Sequence, residues 1–98
     1  MPDPDFAAFQ AEALAEGFDE VLERVWAPGT VLAEHTHPFE VKAVLVQGEM
    51  DLEVGAETRH LRPGDTFSLP ADLPHAEHYG PEGASYWVAR RNPPGGVR

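Results

Sequence analysis

GTVLAEHTHPFEVKAVLVQG, residues 29–48, holds the densest chemistry in the chain. At its centre, EHTHPFE (34–40) sets two histidines one residue apart, with a proline behind them and a carboxylate at each end. On a strand, residues i and i+2 face the same side. His35 and His37 would then project together with about 7 Å between their α-carbons, close enough for both imidazoles to reach one ion. Phe39, Val41, Ala43 and Leu45 share that parity, so the same face continues as an apolar wall, which suits a ligand pocket and an ordinary barrel core alike. Two ligands do not make a tight site, and metal chemistry needs a third protein ligand plus an open position. The later run LPADLPHAEHYG (69–80) offers His75 and His78, and in an antiparallel barrel a later strand can lie beside the first.

Composition limits what this cluster can serve. At 98 residues with 42% apolar content, the chain has enough for one core and not for two. Seventeen acidic residues against seven basic ones give a formal charge of −10, which repels phosphate backbones and anionic membranes, so neither nucleic acid nor a membrane is expected as a partner. With no cysteine, thiolate zinc sites, disulfides and cysteine nucleophiles are excluded. The opening MPDPDFAAFQAEALAEG has no basic start and no long apolar run, so it reads as neither signal peptide nor membrane span, and a cytoplasmic location is the default expectation.

The chain divides into three parts: an N-terminal helix (1–17), a strand-rich body (18–91) and a Pro/Gly-rich tail (92–98) expected to be mobile or to lie across a neighbour. For the helix, Asp3 serves as N-cap, Pro4 as first helical residue and Gly17 as stop, with Phe6, Phe9, Ala13 and Leu14 as the stripe that covers the body. FDEVLERVW (18–26) has helical spacing at Phe18, Val21, Leu22, Val25 and Trp26, although it is short and bounded by Gly17 and Pro28-Gly29. Beyond it, VLAEH, VKAVLVQ, MDLEV, ETRHL, TFSLP, HAEHY and SYWVARR read as strands. Gly48, Gly55, Pro63-Gly64 and Gly80-Pro81 read as the turns between them. Short strands at this spacing imply an all-β sandwich or barrel.

Two of these stretches resemble the paired motifs of the cupin family. Residues 29–48 are similar to the first motif, a glycine, five residues, H-x-H, a glutamate a few residues on, then six residues and a glycine; Gly29, His35, His37 and Gly48 fall into place. GDTFSLPADLPHAEHY (64–79) is similar to the second, with Gly64, Pro70 and His75 matching. H-x-H alone is more often surface or core decoration than a ligand pair, whereas both motifs in order favour the ligand reading. The resemblance implies a small double-stranded β-helix (jelly-roll) barrel with FDEVLERVW as a strand, commonly paired into a homodimer.

The sequence also departs from the motifs. Counting back from Gly48, the family's glutamate falls at Val41, and Glu40 stands one residue early, facing away from the ion unless a bulge near Pro38 re-aims it. Asp72 replaces a glycine of the second motif, Tyr79 replaces its asparagine, and His78 precedes that last position. The implied ligand set is His35, His37 and His75, with Glu40 and His78 as further candidates, holding one divalent transition metal per chain (iron, zinc, nickel, manganese or copper). Two functions fit. One is a metal-dependent, dioxygenase-like or isomerase-like enzyme acting on a small oxygenated molecule. The other is a non-catalytic cupin module that binds or senses a small ligand. Neither a Ser-His-Asp spacing nor a dedicated general base is evident, so no catalytic residue beyond the metal ligands is named.

Overall fold

The computed structural model describes residues 5–92 as one helix followed by six strands: α1 Phe6–Ala15, β1 Glu20–Trp26, β2 Val31–His35, β3 Glu40–Val54, β4 Glu57–Leu61, β5 Thr66–Leu69 and β6 His75–Arg91. All strand pairs are antiparallel. The architecture is the all-β jelly-roll barrel that the two motifs imply, preceded by the short N-terminal helix expected from its own apolar stripe.

The two long strands organise it. β3 and β6 run side by side from Glu40↔Arg91 to Glu53↔Ala76, and between Gly48↔Ala84 and Met50↔Tyr79 the register jumps. Residues 80–83 of β6 there stand against Glu49 alone, a large bulge that bends both strands. On one side of the bend, β1 and β5 flank the pair. On the other side, β2 and β4 do so. Gly48 and Gly80-Pro81 are therefore bends inside long strands rather than the turns expected, and four of the expected short strands merge into two. Gly55 and Gly64 do lie in true connections, with φ of 60° and 96°.

Both halves of the bent pair feed one core. Val41, Ala43 and Leu45 point inward before the bend, and Met50 and Leu52 after it, a change of parity that the bulges in β3 produce. Leu45, Met50 and Leu61 are each at most 1% exposed, and burying such side chains contributes roughly 1.5–3 kcal/mol apiece.

FDEVLERVW forms β1 in spite of its helical spacing. Its Leu22 and Trp26 pack on the main core, while Val21 faces outward into a second cluster with Phe18, Ala13, Ala89 and Phe9 beneath α1. Apolar residues are needed on both faces, which masks the two-residue period. The helix itself starts two residues later than expected, at Phe6 rather than Pro4. Asp5, extended at φ −121°, caps it by accepting from Ala7 N at 3.0 Å, and Asp3 and Pro4 lie outside the described residues. Phe6 and Phe9 pack on Trp87 with ring centroids 5.6 and 6.0 Å away, but Leu14 is 48% exposed and drops out of the stripe. Of the tail, only Asn92 is described. Its N–H donates to Asp19 at 2.6 Å, and the rest of the expected mobile segment (93–98) lies outside the described residues.

Candidate metal centre

His35 closes β2 and His75 opens β6, and the two residues are direct register partners. Leu32 pairs with Glu77 in the same ladder, so three residues of β2 span two of β6. This extra residue flips the alternation and turns His35 to the inner face that Leu32 already occupies. His37 is not on the strand, as the H-x-H spacing suggested, but in the connection at 36–39. Its ring stacks on Phe39 at 4.8 Å and 10°, and its carbonyl accepts from Asp72 N at 2.7 Å. Asp72 adopts the left-handed φ of 64° that the glycine of the second motif would take freely, and this conformation ties the β5–β6 turn to the histidine loop.

These three elements bring the imidazoles together. Ring centroids lie 4.9 Å apart for His35–His37, 4.4 Å for His35–His75 and 5.1 Å for His37–His75, and one nitrogen from each falls within 4.8 Å of the others. The hydrogen bonds fix which nitrogens face inward. Nδ1 of His35 is 2.7 Å from Ala33 O, and Nδ1 of His75 is 2.9 Å from Leu73 O. A carbonyl only accepts, so both Nδ1 atoms carry the proton, and in its neutral form each ring presents a bare Nε2. A backbone partner of this kind also orients metal-binding histidines. Burial, and then the neighbouring His75 and His35 with Arg90 and Arg24 beyond them, lowers the His37 pKa to about 4, leaving that imidazole neutral near pH 7.

A fourth group stands beside two of them. Glu77 is 5% exposed, and its Oε2 lies 3.5 Å from Nε2 of both His35 and His75. Its Oε1 accepts from Tyr79 OH. Burial, followed by neighbouring acidic groups that include Glu77, holds the Tyr79 and Tyr86 phenols above their usual range, so both stay protonated donors. The cluster therefore gathers bare imidazole nitrogens and a carboxylate oxygen, all acceptors, and Nε2 of His75 is buried with no hydrogen-bond partner. Such a set is costly unless something positive sits among it, and a divalent cation fits that need.

Two of the expected ligand candidates lie elsewhere. Glu40 faces away from the histidines and pairs with Arg91 at 3.2 Å, because no bulge at Pro38 re-aims it; the inward residue is Val41, 6% exposed. His78 alternates outward between Glu77 and Tyr79 and pairs with Glu53 at 3.0 Å. Sequence reasoning missed Glu77, although the signal was present: in HAEHY, Glu77 and Tyr79 share the parity of His75.

His37, Phe39, His75, Glu77, Tyr86 and Arg90 line a cavity of about 40 Å³, room for no more than a few water-sized groups. Arg90 is part of this lining, its guanidinium 4.8 Å over the Phe39 ring and 3.3 Å from Glu20, with a buried Nε that has no partner.

Comparison with known proteins agrees with the barrel fold. A chain from the crystal structures of the DMSP lyases RdDddP and RnDddQII is 28% identical with a TM-score of 0.70, over 80% of this chain and 40% of that one. An oxalate oxidase in complex with the substrate analogue glycolate is 24% identical (TM-score 0.65; 74% of this chain, 41% of that one), a likeness of fold. The same holds for the cupin domain of an XRE-family transcriptional regulator from Enterobacter cloacae, 22% identical (TM-score 0.63; 74% and 80%). The chain thus spans about two fifths of the lyase and oxidase chains. No curated protein matches the sequence. The family profile described as "Cupin domain" matches residues 22–87, about two thirds of the sequence, and with the paired motifs and the jelly-roll barrel already in place, the chain belongs to the cupin family.

Proposed function

We propose that the barrel holds one divalent transition metal at His35, His37 and His75 and uses it to bind and transform a small oxygenated molecule. The observation that supports this most directly is the convergence of the three imidazoles, with Nδ1 of His35 and of His75 occupied by backbone carbonyls and their Nε2 atoms left bare. When bound, such an ion supplies a Lewis acid for an oxygenated ligand and, as iron, the means of activating dioxygen. The protein's own share is positional. The backbone carbonyls keep His35 and His75 in the ligating tautomer, and Phe39, Phe67, Leu69 and Val88 give the cavity an apolar lining. Arg90 offers positive charge in the lining to an anionic or strongly polar substrate. The similarity to a DMSP lyase chain, at 28% identity, is consistent with chemistry on a small molecule.

Elemental analysis of untagged protein tests the centre. About one transition-metal ion per chain is expected in the natural sequence and none in the His35→Ala/His37→Ala double variant; full stoichiometry in the double variant overturns the assignment. Oxygen uptake or product formation by the loaded protein then identifies an enzyme, whereas thermal stabilisation by a ligand without product identifies a binding or sensing barrel. The same reading has the barrel cytoplasmic and paired into a homodimer. β1 pairs with β6 alone among the described residues and carries Val25, 71% exposed, as an edge would that meets a second copy. A light-scattering mass of 10.7 kDa would remove the dimer from it.

A further inference from the structure

Val41 fills the inward β3 position where the first motif calls for a glutamate, and it does so as a buried core residue. The barrel nonetheless has a carboxylate at the histidines, and it comes from another strand. We infer that Glu77 on β6 is the fourth protein ligand of the centre, in place of a carboxylate from β3, with Tyr79 holding its second oxygen. The inference rests on the three-histidine reading and adds to it the residue that completes the set.

Four observations carry it. The Oε2 of Glu77 is equidistant, at 3.5 Å, from the two bare Nε2 atoms of His35 and His75. Two ligands of one ion at bond lengths of about 2.0–2.2 Å and a tetrahedral angle stand roughly 3.4 Å apart, so this spacing is that of neighbours on a shared ion. It is longer than an ordinary hydrogen bond. Next, the carboxylate is divided in its duties: Oε1 takes the Tyr79 hydroxyl, which leaves Oε2 free to face the histidines. Third, His75 Nε2 is a buried orphan, so the Glu77 oxygen beside it does not satisfy it directly. Finally, backbone register enforces the placement. His75 and Glu77 share a face of β6, and the bulge in β2 brings His35 to that face opposite them.

The relocation changes the chemistry of the site as well as its address. A carboxylate added to three imidazole ligands brings negative charge to the ion's surroundings, so the set favours a divalent cation over a monovalent one. It also places a metal ligand two residues from His75 on one strand, so a shift of β6 moves both together.

The test compares cobalt(II) binding by the full chain, Glu77→Gln and Glu77→Asp, using chelator competition for affinity and the visible d–d absorption for the ligand set. Far-UV circular dichroism checks that each variant folds. Glu77→Gln is expected to bind cobalt at least about 10-fold more weakly and with an altered spectrum, since even partners behind the ligands change affinity by about 10- to 100-fold. Glu77→Asp keeps the charge on a shorter arm and is expected to fall between the two. It carries the test alone if the glutamine variant does not fold. Wild-type affinity and an unchanged spectrum in either folded variant would overturn the inference while leaving the three-histidine centre standing. Failure of the unsubstituted chain to bind cobalt would overturn both.

Discussion

The carbonyl oxygen of Gly83 occupies the space that a β-carbon on Gly48 would need, and Ala84 Cα is only 2.8 Å from the same point. Gly48 also has φ +77°, so the bend of β3 against β6 excludes any side chain there on two counts. Gly48→Ala is expected to destabilise the protein by roughly 3 kcal/mol or more, since the obstructing atoms are backbone and cannot swing aside. Urea denaturation followed by fluorescence measures this, and a change under about 0.5 kcal/mol would show that the two strands do not approach as described.

Tyr79 stacks on Trp26 at 5.1 Å and 19° while its hydroxyl serves Glu77. Tyr79→Phe keeps the ring and removes only the hydroxyl, leaving a buried carboxylate oxygen without its donor. A loss of about 1–3 kcal/mol is expected in the metal-free protein, which is the cost of an unsatisfied buried acceptor. Thermal unfolding in the presence of a chelator gives the comparison.

His60 is exposed, with Nδ1 2.7 Å from Asp51 Oδ1 and Nε2 2.8 Å from Glu49 Oε1. These two carboxylates, Asp51 first, raise its pKa above 6.5 by accepting hydrogen bonds from the imidazolium. A raised folded value means that the contribution to stability is complete below the unfolded pKa of 6.5 and is lost as pH rises through the folded one. Melting temperatures of the unsubstituted chain and His60→Gln are therefore expected to differ at about pH 5.5 and to converge by about pH 9. A constant difference across that interval would mean that the ion pairs do not form in solution.

Metal binding should be visible as stability. A divalent ion at 100 times its dissociation constant adds about 2.7 kcal/mol, which for a domain of this size raises the melting temperature by roughly 10–20 °C. Differential scanning calorimetry of chelator-treated protein, with and without added metal, is expected to show this shift. The His35→Ala/His37→Ala protein is expected to show none.

Asp72 sits in the left-handed region with its N–H on the His37 carbonyl. Asp72→Gly should preserve metal affinity, whereas Asp72→Val places a β-branched residue at positive φ. The valine variant is expected to lose about 1–2 kcal/mol and to bind metal more weakly through a displaced His37. Isothermal titration of the two variants separates them.

Much of this was legible in the sequence, for reasons that differ residue by residue. His35, His37 and His75 stood out because the motifs fix their order, and Val41, Ala43 and Leu45 because a two-residue period survives where only one face is buried. Gly48 and Gly80-Pro81 misled because glycine marks a bend inside a strand with the same letter it uses for a turn. β1 carried a false helical period because α1 covers its outer face, so both sides needed apolar residues. Glu77 escaped notice because a carboxylate between two histidines looks solvated until the strand's inward side is known. The parity it shares with His75 hints at that side, and the pairing of His35 with His75 fixes it.

The continuity of β3 and β6 through both halves of the barrel has a consequence for how the molecule comes apart. Neither half owns its central strands, so neither can melt and leave the other intact, and unfolding should be a single cooperative event. An ion held at one end would then slow hydrogen exchange throughout, including in β1 and β5, which stand beyond the bend from β2.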